Sequence, residues 1–189
     1  INGETEYGIT VHYIDEGIDT GDIIEQQMYP ISINETYKDL LELSYDRCAD
    51  VLLQALNKLS SGDFSAVKQS TIHPVGMYCT QRKVGDEIVD WSWSSKRIHD
   101  FIRAISSPAP CARTWVLSQE VALANSELVD ESVTYIGVPG AIVGKDEQGI
   151  YVKTGDSILK VTSYSLVSND GSASAEKLKL RIGVRFSNK

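Results

Sequence analysis

GITVHYIDEGIDTGDIIEQ, Gly8 to Gln26, is the stretch on which the fold turns. Residues 8–14 alternate, with Ile9, Val11 and Tyr13 on one side and Thr10, His12 and Ile14 on the other. That period predicts a strand buried on at least one face. The apolar pattern resumes over 22–31, DIIEQQMYPI, and stops at Pro30. Two such runs around a short polar turn predict an antiparallel hairpin. The turn, DEGIDTGD, holds Asp15, Glu16, Asp19 and Asp22 within eight residues. A solvated loop accounts for it, since Asp and Gly suit tight turns. A ligand loop accounts for it equally. Gly17 and Gly21 flank Asp19 and allow close backbone approach, and loops at strand ends in α/β layers are where ligands bind. A calcium loop is excluded by register: counted from Asp15, position 3 is Gly17, position 6 is Thr20 and position 12 is Gln26.

Outward from the hairpin, Leu40, Leu41, Ser44, Tyr45, Cys48, Val51, Leu52, Ala55, Leu56 and Leu59 recur at spacings of three and four. This predicts a long amphipathic helix, with Asn34 as N-cap and Gly62 as its C-terminal stop. Residues 63–90 keep no period and read as connection. In WSWSSKRIHDFIRAISSPAP, Ile98, Phe101, Ile102 and Ile105 share one face of a short helix. Ser94 or Ser95 would cap it, and Pro108 and Pro110 forbid its continuation. His99, Arg97 and Arg103 would decorate its solvated face. Trp91 and Trp93, two apart, would face the same way and anchor the connection against the first domain, or offer a stacking platform for a base. Beyond Thr114, TWVLSQEVALANSEL, VTYIGVPGAIVGKDEQ, GIYVKTGD, SILKVTSYSLV and LKLRIGVRF predict about six short strands, a small barrel or sandwich. SNDGSASAE reads as a plain loop. The boundary between domains is expected near 106–113.

The 189 residues carry a net charge of −8. Residues 1–50 hold 12 acids against two bases, while the other 139 hold 14 against 16. An acidic front disfavours a phosphate-backbone partner there. No apolar run nears the roughly 20 residues of a membrane helix, and the opening INGETEYG has neither the basic nor the apolar part of a secretory signal. Cys48, Cys79 and Cys111 are odd in number and far apart, which predicts free thiols, no metal site and a cytoplasmic setting. With no initiator Met and a strand almost at once, the chain reads as a piece of a longer polypeptide.

GITVHYIDEGIDTGDIIEQ resembles the strand–loop–strand segment of the formyltetrahydrofolate-dependent formyltransferases. GDEIVDWSWSSKRIHDFIRAISSPAPCARTW resembles a segment of their methionyl-tRNA and sugar-amine branches. PGAIVGKDEQGIYVKTGDSILKVTSY and LKLRIGVRF are similar, more weakly, to the OB-like C-terminal domain of those branches. The resemblance implies an α/β fold in three parts. Residues 1–65 are the C-terminal part of a Rossmann-like catalytic domain, strands plus the long helix. Residues 66–110 are a connecting segment with the short helix, and 111–189 a small OB-like β-barrel. It also implies that Asp19 is the catalytic carboxylate at the lip of a folate cleft. The loop before it, Asp15, Glu16, Gly17 and Ile18, would line the pterin pocket of 10-formyltetrahydrofolate, largely through its backbone. His12, with Thr10 on the same strand face, would sit behind this site and support it.

Formyl transfer is acyl transfer: an amine attacks the formyl carbon through a tetrahedral oxyanion. The site needs an oxyanion donor, a proton shuttle and a group that fixes the shuttle's charge. In the family the first two are an Asn-x-His on earlier strands. Neither His12, His73 nor His99 stands in such a motif, so Asp19 would supply the third role, or also take the amine's proton directly or through water, and this chain alone is expected to be inactive. Cys111 also departs from the family, replacing the Gly of its Pro-Gly-Ala turn. The acidic balance favours a small acceptor, a nucleotide-linked amino sugar, over methionyl-tRNA. A non-catalytic binding or dimerisation module stays open, and an isolated chain with bare strand edges is expected to form a homodimer or to derive from a larger protein.

Overall fold

A computed structural model describes residues 1–168 and 178–188. Two compact units emerge. The first is Glu4–Ile33 with Asp39–Arg82, and the second Ile1–Gly3 with Asn34–Lys38 and Lys83–Lys189.

In the first unit, β1 (Glu6–His12) and β2 (Ile23–Pro30) pair antiparallel, from Glu6↔Pro30 to Val11↔Glu25, as the hairpin pattern predicts. The register shifts before His12↔Ile23, and the Tyr13 N–H donates to the Asp22 carbonyl at 3.0 Å to close the turn. The strand buries less than its alternation suggests. The sheet has two strands only, so Ile9 and Val11 are half-buried and Ile14 lies outside it, 96% exposed. The long helix, α1, spans Tyr37–Ser60. It starts three residues beyond Asn34, which therefore does not cap it. Its end is as expected: Gly62 has φ +84°. The Gly62 N–H reaches the Leu59 carbonyl at 3.0 Å and the Asp63 N–H the Lys58 carbonyl at 3.1 Å, the paired closure that a left-handed glycine permits. Val51 and Ala55 are buried, and the Lys58 ammonium ties the last turn to the Ile24 carbonyl at 2.9 Å. Tyr45, Leu52, Leu53 and Leu56, also on α1, are 48–70% exposed. The following segment is more than connection. Val67 exchanges two backbone hydrogen bonds with Ile23, each 2.8 Å, and leads into a single turn, α2 (Gln69–Ile72).

The second unit packs α3 (Ser95–Ala104) on a five-stranded antiparallel sheet. Its strands are β3 (Ala112–Val116), β4 (Gln119–Leu128), β5 (Ile142–Lys145), β6 (Ile150–Lys153) and β7 (Ile158–Leu166), in the order β3-β4-β7-β6-β5. Ser94 caps α3, its hydroxyl accepting from the Arg97 N–H at 3.3 Å. Ile98, Phe101, Ile102 and Ile105 enter the core as their period predicts, beside Val121, Leu123, Leu159 and Val161. The stretch from Lys83 falls in this unit, and Val89 and Trp91 lie in its core with the apolar face of α3.

Three expectations for this unit change. His99 and Arg103 are not on a solvated face. α3 is covered twice, by β4 and by the two short pieces of the unit near its start. His99 is 1% exposed, its Nδ1 3.0 Å from the Ser126 hydroxyl. Asp100 is buried between Lys96 at 2.6 Å and Arg103 at 2.9 Å, and Arg103 also donates to the Glu35 carbonyl at 2.9 Å. Arg97 covers the Trp93 ring at 4.0 Å, while Trp91 is buried, stacked on Phe186 and donating to the Thr114 hydroxyl. Both tryptophans anchor to this unit's own core, and neither offers a bare stacking face. Finally, VTYIGVPG and LKLRIGVRF form no strand, because Pro139 with Gly140 (φ +84°) and Gly183 (φ +90°) break the extended runs. Residues 184–187 instead bridge singly to the region of β5, at Ala141↔Arg185, and to β3, at Trp115↔Ser187. The strand ladder itself does not close, so a closed OB-like barrel is not formed by strands among the described residues. The expected SNDGSASAE loop lies, but for Ser168, outside the described residues. No described helix is long and apolar enough to cross a membrane.

Candidate active site

The hairpin turn is a built structure. The Asp15 carboxylate turns onto its own loop, accepting from the Thr20 hydroxyl at 2.6 Å and the Gly17 N–H at 3.0 Å. Those two hydrogen bonds, the hydroxyl's first, hold the Asp15 carboxyl below its ordinary value. These two bonds tie the Asp15 carboxylate to the shape of the loop. Space is tight at both glycines, against a side chain at Gly17 and against backbone at Gly21. A Cβ on Gly17 would lie 2.0 Å from the Thr20 hydroxyl oxygen, and one on Gly21 would lie 1.6 Å from the Tyr13 carbonyl oxygen.

Asp19 stands at the apex with φ +56°, a left-handed conformation that Asp tolerates better than most residues. Its side chain is 88% exposed, and the nearest charged partner is His12, whose Nε2 is 3.8 Å from the Asp19 Oδ1. The His12 Nδ1 is 2.8 Å from the Tyr13 carbonyl. A carbonyl only accepts, so Nδ1 carries the proton and Nε2 is the atom that faces the carboxylate. Thr10, on the same strand face, accepts from the Gln26 amide across the hairpin at 2.6 Å and holds that face together. Glu16, Gly17 and Ile18 are exposed, with Ile18 at 76% and Ile14 at 96% giving the loop an apolar rim. The hairpin thus brings His12 and Asp19 together and displays Glu16–Ile18, with the Asp15 carboxylate hydrogen-bonded within the loop. A pocket of about 250 Å³ in this unit lies elsewhere, among Gln27, Tyr29, Arg47, Asp50 and Gln54, and takes nothing from the loop.

One residue escaped the sequence reading. The Gln69 amide, at the start of α2, donates to the carbonyls of Asp19 at 2.9 Å and Gly21 at 2.7 Å. Gln69 sits 50 residues from Asp19 in a stretch with no period, so no local signal marks it. Among the described residues no group of three or more His, Cys, Asp or Glu is placed to hold a metal ion.

Comparison with known proteins bears on this loop directly. The family model described as "Formyl transferase" matches residues 1–56, and that described as "Formyl transferase, C-terminal domain" matches residues 82–173. Methionyl-tRNA formyltransferase of Coxiella burnetii is 31% identical over 164 residues, which are 87% of this chain and 51% of that protein. The enzyme of that name from Synechococcus sp. is 30% identical over 193 residues, 98% of this chain and 58% of that protein. The chain spans about half the length of the curated relatives it matches. Among solved structures, an N-formyltransferase from Helicobacter canadensis, in complex with folinic acid and dTDP-3-aminofucose, aligns at TM-score 0.65 and 24% identity, over 86% of this chain and 58% of its own. WlaRD, a sugar 3N-formyl transferase solved with dTDP and 5-N-formyl-THF, aligns at 0.63 and 25%, over 85% of this chain and 56% of its own.

Proposed function

The chain belongs to the formyl transferase family, and from that premise we propose that it is the C-terminal portion of an enzyme that moves a formyl group from 10-formyltetrahydrofolate to a primary amine. The observation that carries the reading is the Asp19 apex: a carboxylate in a left-handed conformation, fixed from within by Asp15 and Thr20 and set 3.8 Å from His12. Such conformations persist where the surroundings over-determine them, and they cluster at working sites. In the complete site Asp19 would orient an imidazole from an upstream strand and favour its charged form. His12 would stand behind Asp19, and Thr10 would keep the hairpin face that carries His12.

The chain's fit to the folate is partial, and the fit decides the roles. Glu16, Gly17 and Ile18 would hold the pterin, the Ile18 side chain covering its flat face and the backbone reading its edge. Asp15 would act only by shaping that backbone. The folate, when bound, supplies the formyl carbon, and the residues of this chain bind, orient and hold charge. The C-terminal unit would complete an OB-like barrel of the family kind.

For the acceptor, the net charge of −8 and the likeness to sugar N-formyltransferases support a nucleotide-linked amino sugar. Methionyl-tRNA is the second reading, supported by the relatives 30–31% identical. An amine panel decides between them, using a polypeptide that carries this chain with the upstream half its relatives possess. A dTDP-amino sugar and methionyl-tRNA compete for formyl transfer, and release of tetrahydrofolate is followed by absorbance. In that polypeptide Asp19→Asn should cut turnover by about 10²–10⁴-fold with the fold intact. A near-normal rate removes Asp19 from the mechanism, and the reading with it.

A further inference from the structure

We infer that Gln69 is a positioning residue for the Asp19 carboxylate. The inference rests on Asp19 being the working carboxylate and adds the element that fixes its backbone. Gln69 reaches the loop because Val67, two residues earlier, is locked to Ile23 by two 2.8 Å backbone hydrogen bonds at the edge of the hairpin. From there its Nε2 donates to the Asp19 carbonyl at 2.9 Å and the Gly21 carbonyl at 2.7 Å. Both partners are carbonyl oxygens, which only accept, so the amide orientation follows from chemistry rather than choice.

The choice of carbonyls is what separates positioning from general support. One belongs to the residue that bears the carboxylate. The other belongs to Gly21, already pressed against the Tyr13 carbonyl so closely that no Cβ fits. One amide therefore joins the apex to its tightest fixed point and holds Asp19 at φ +56°. Released, a 69-to-19 tether of two hydrogen bonds would let the apex relax toward an ordinary conformation and swing the carboxylate. Misplacement of a reacting group by about 1 Å costs on the order of 10²-fold in rate.

The test uses the polypeptide that carries this chain with the upstream half of its relatives, and two substitutions of opposite character. Gln69→Glu keeps the shape and replaces the donors by acceptors facing two carbonyls. Gln69→Lys changes the shape and keeps donors within reach of both. Positioning predicts that Q69E lowers kcat by about 10- to 100-fold with KM for folate and amine within about threefold. It further predicts that Q69K recovers to within about threefold of wild type, and that amide exchange over residues 13–24 quickens in Q69E alone. If Q69E folds poorly, Gln69→Ala is read by the same criteria. A kcat within about twofold of wild type for the donor-less variant, or equal losses in Q69E and Q69K, overturns the assignment. Failure of the underlying reading looks different: D19N then turns over normally. With D19N inactive and Q69E fully active, only the role of Gln69 falls.

Discussion

Replacing Gly21 by Ala tests the loop at the point where its geometry leaves least room. The added Cβ would stand 1.6 Å from the Tyr13 carbonyl oxygen and 2.6 Å from its carbon, while real Cβ contacts essentially never fall below 3.0 Å. The obstacle is backbone, not a pliant side-chain tip, so one strand of the turn must shift by about 1.4 Å to reach that limit. Gly21 is two residues from Asp19, and its carbonyl shares the Gln69 amide with the Asp19 carbonyl. The carboxylate should therefore move by a comparable distance. At about 10²-fold per ångström, turnover in the extended polypeptide should fall by at least about 10²-fold, some 2.7 kcal/mol of transition-state stabilisation. The assay is formyl transfer at saturating amine, with amide exchange over residues 13–24 as the structural reading. Gly76→Ala is the control, because nothing lies within 4 Å of its Cβ position, and it should change neither measurement. Wild-type turnover in G21A would show that the chemistry does not depend on the shape of this loop, and the argument from Asp19 would fail.

Two predictions concern the C-terminal unit. Burial alone would raise the Asp100 carboxyl, but hydrogen bonds from Lys96 and Arg103 outweigh it and leave the group below its ordinary value. A carboxyl lowered in the folded state adds stability that is present above its unfolded value, 3.8, and lost as pH falls through the folded value. Melting followed from pH 6 to pH 2 should show that loss, and Asp100→Asn should flatten the curve as well as lowering it at pH 6. An unchanged slope in D100N would assign the acid sensitivity elsewhere. Cys111 holds φ +63° and donates its N–H to the Ile105 carbonyl at 2.9 Å. A left-handed non-glycine costs about 1–2 kcal/mol, and glycine gives back about 0.5–1 in the unfolded chain. Cys111→Gly should therefore stabilise by about 0.5–1 kcal/mol in chemical denaturation, and a loss of stability would refute the strain.

The legible features were those written in a local period. α1 and α3 announce themselves by apolar spacing, the hairpin by two alternating runs, and the end of α1 by Gly62. The misreadings have a common cause, which is that neighbours decide exposure. His99 and Arg103 look like surface residues on a helical wheel, but α3 is covered on two sides and the wheel shows one. LKLRIGVRF has strand composition, yet Gly183 turns it and leaves single bridges. Asp15 and Asp19 are indistinguishable as letters in DEGIDTGD. Thr20 and Gly17 tie one carboxylate into the loop, and the Gln69 amide, 50 residues away, donates to the other residue's carbonyl. The family resemblance located the loop, and the geometry shows which of its groups are bonded within it.

The oily ridge of α1 has a thermodynamic consequence of its own. Tyr45, Leu52, Leu53 and Leu56 leave about half or more of their surface in water, and any body that covers them adds RT ln(1 + [L]/Kd) to the folded state of the first unit. Its melting point is then a function of company and dose rather than a constant of the polypeptide. Supplying a surface that shelters the ridge should raise that number.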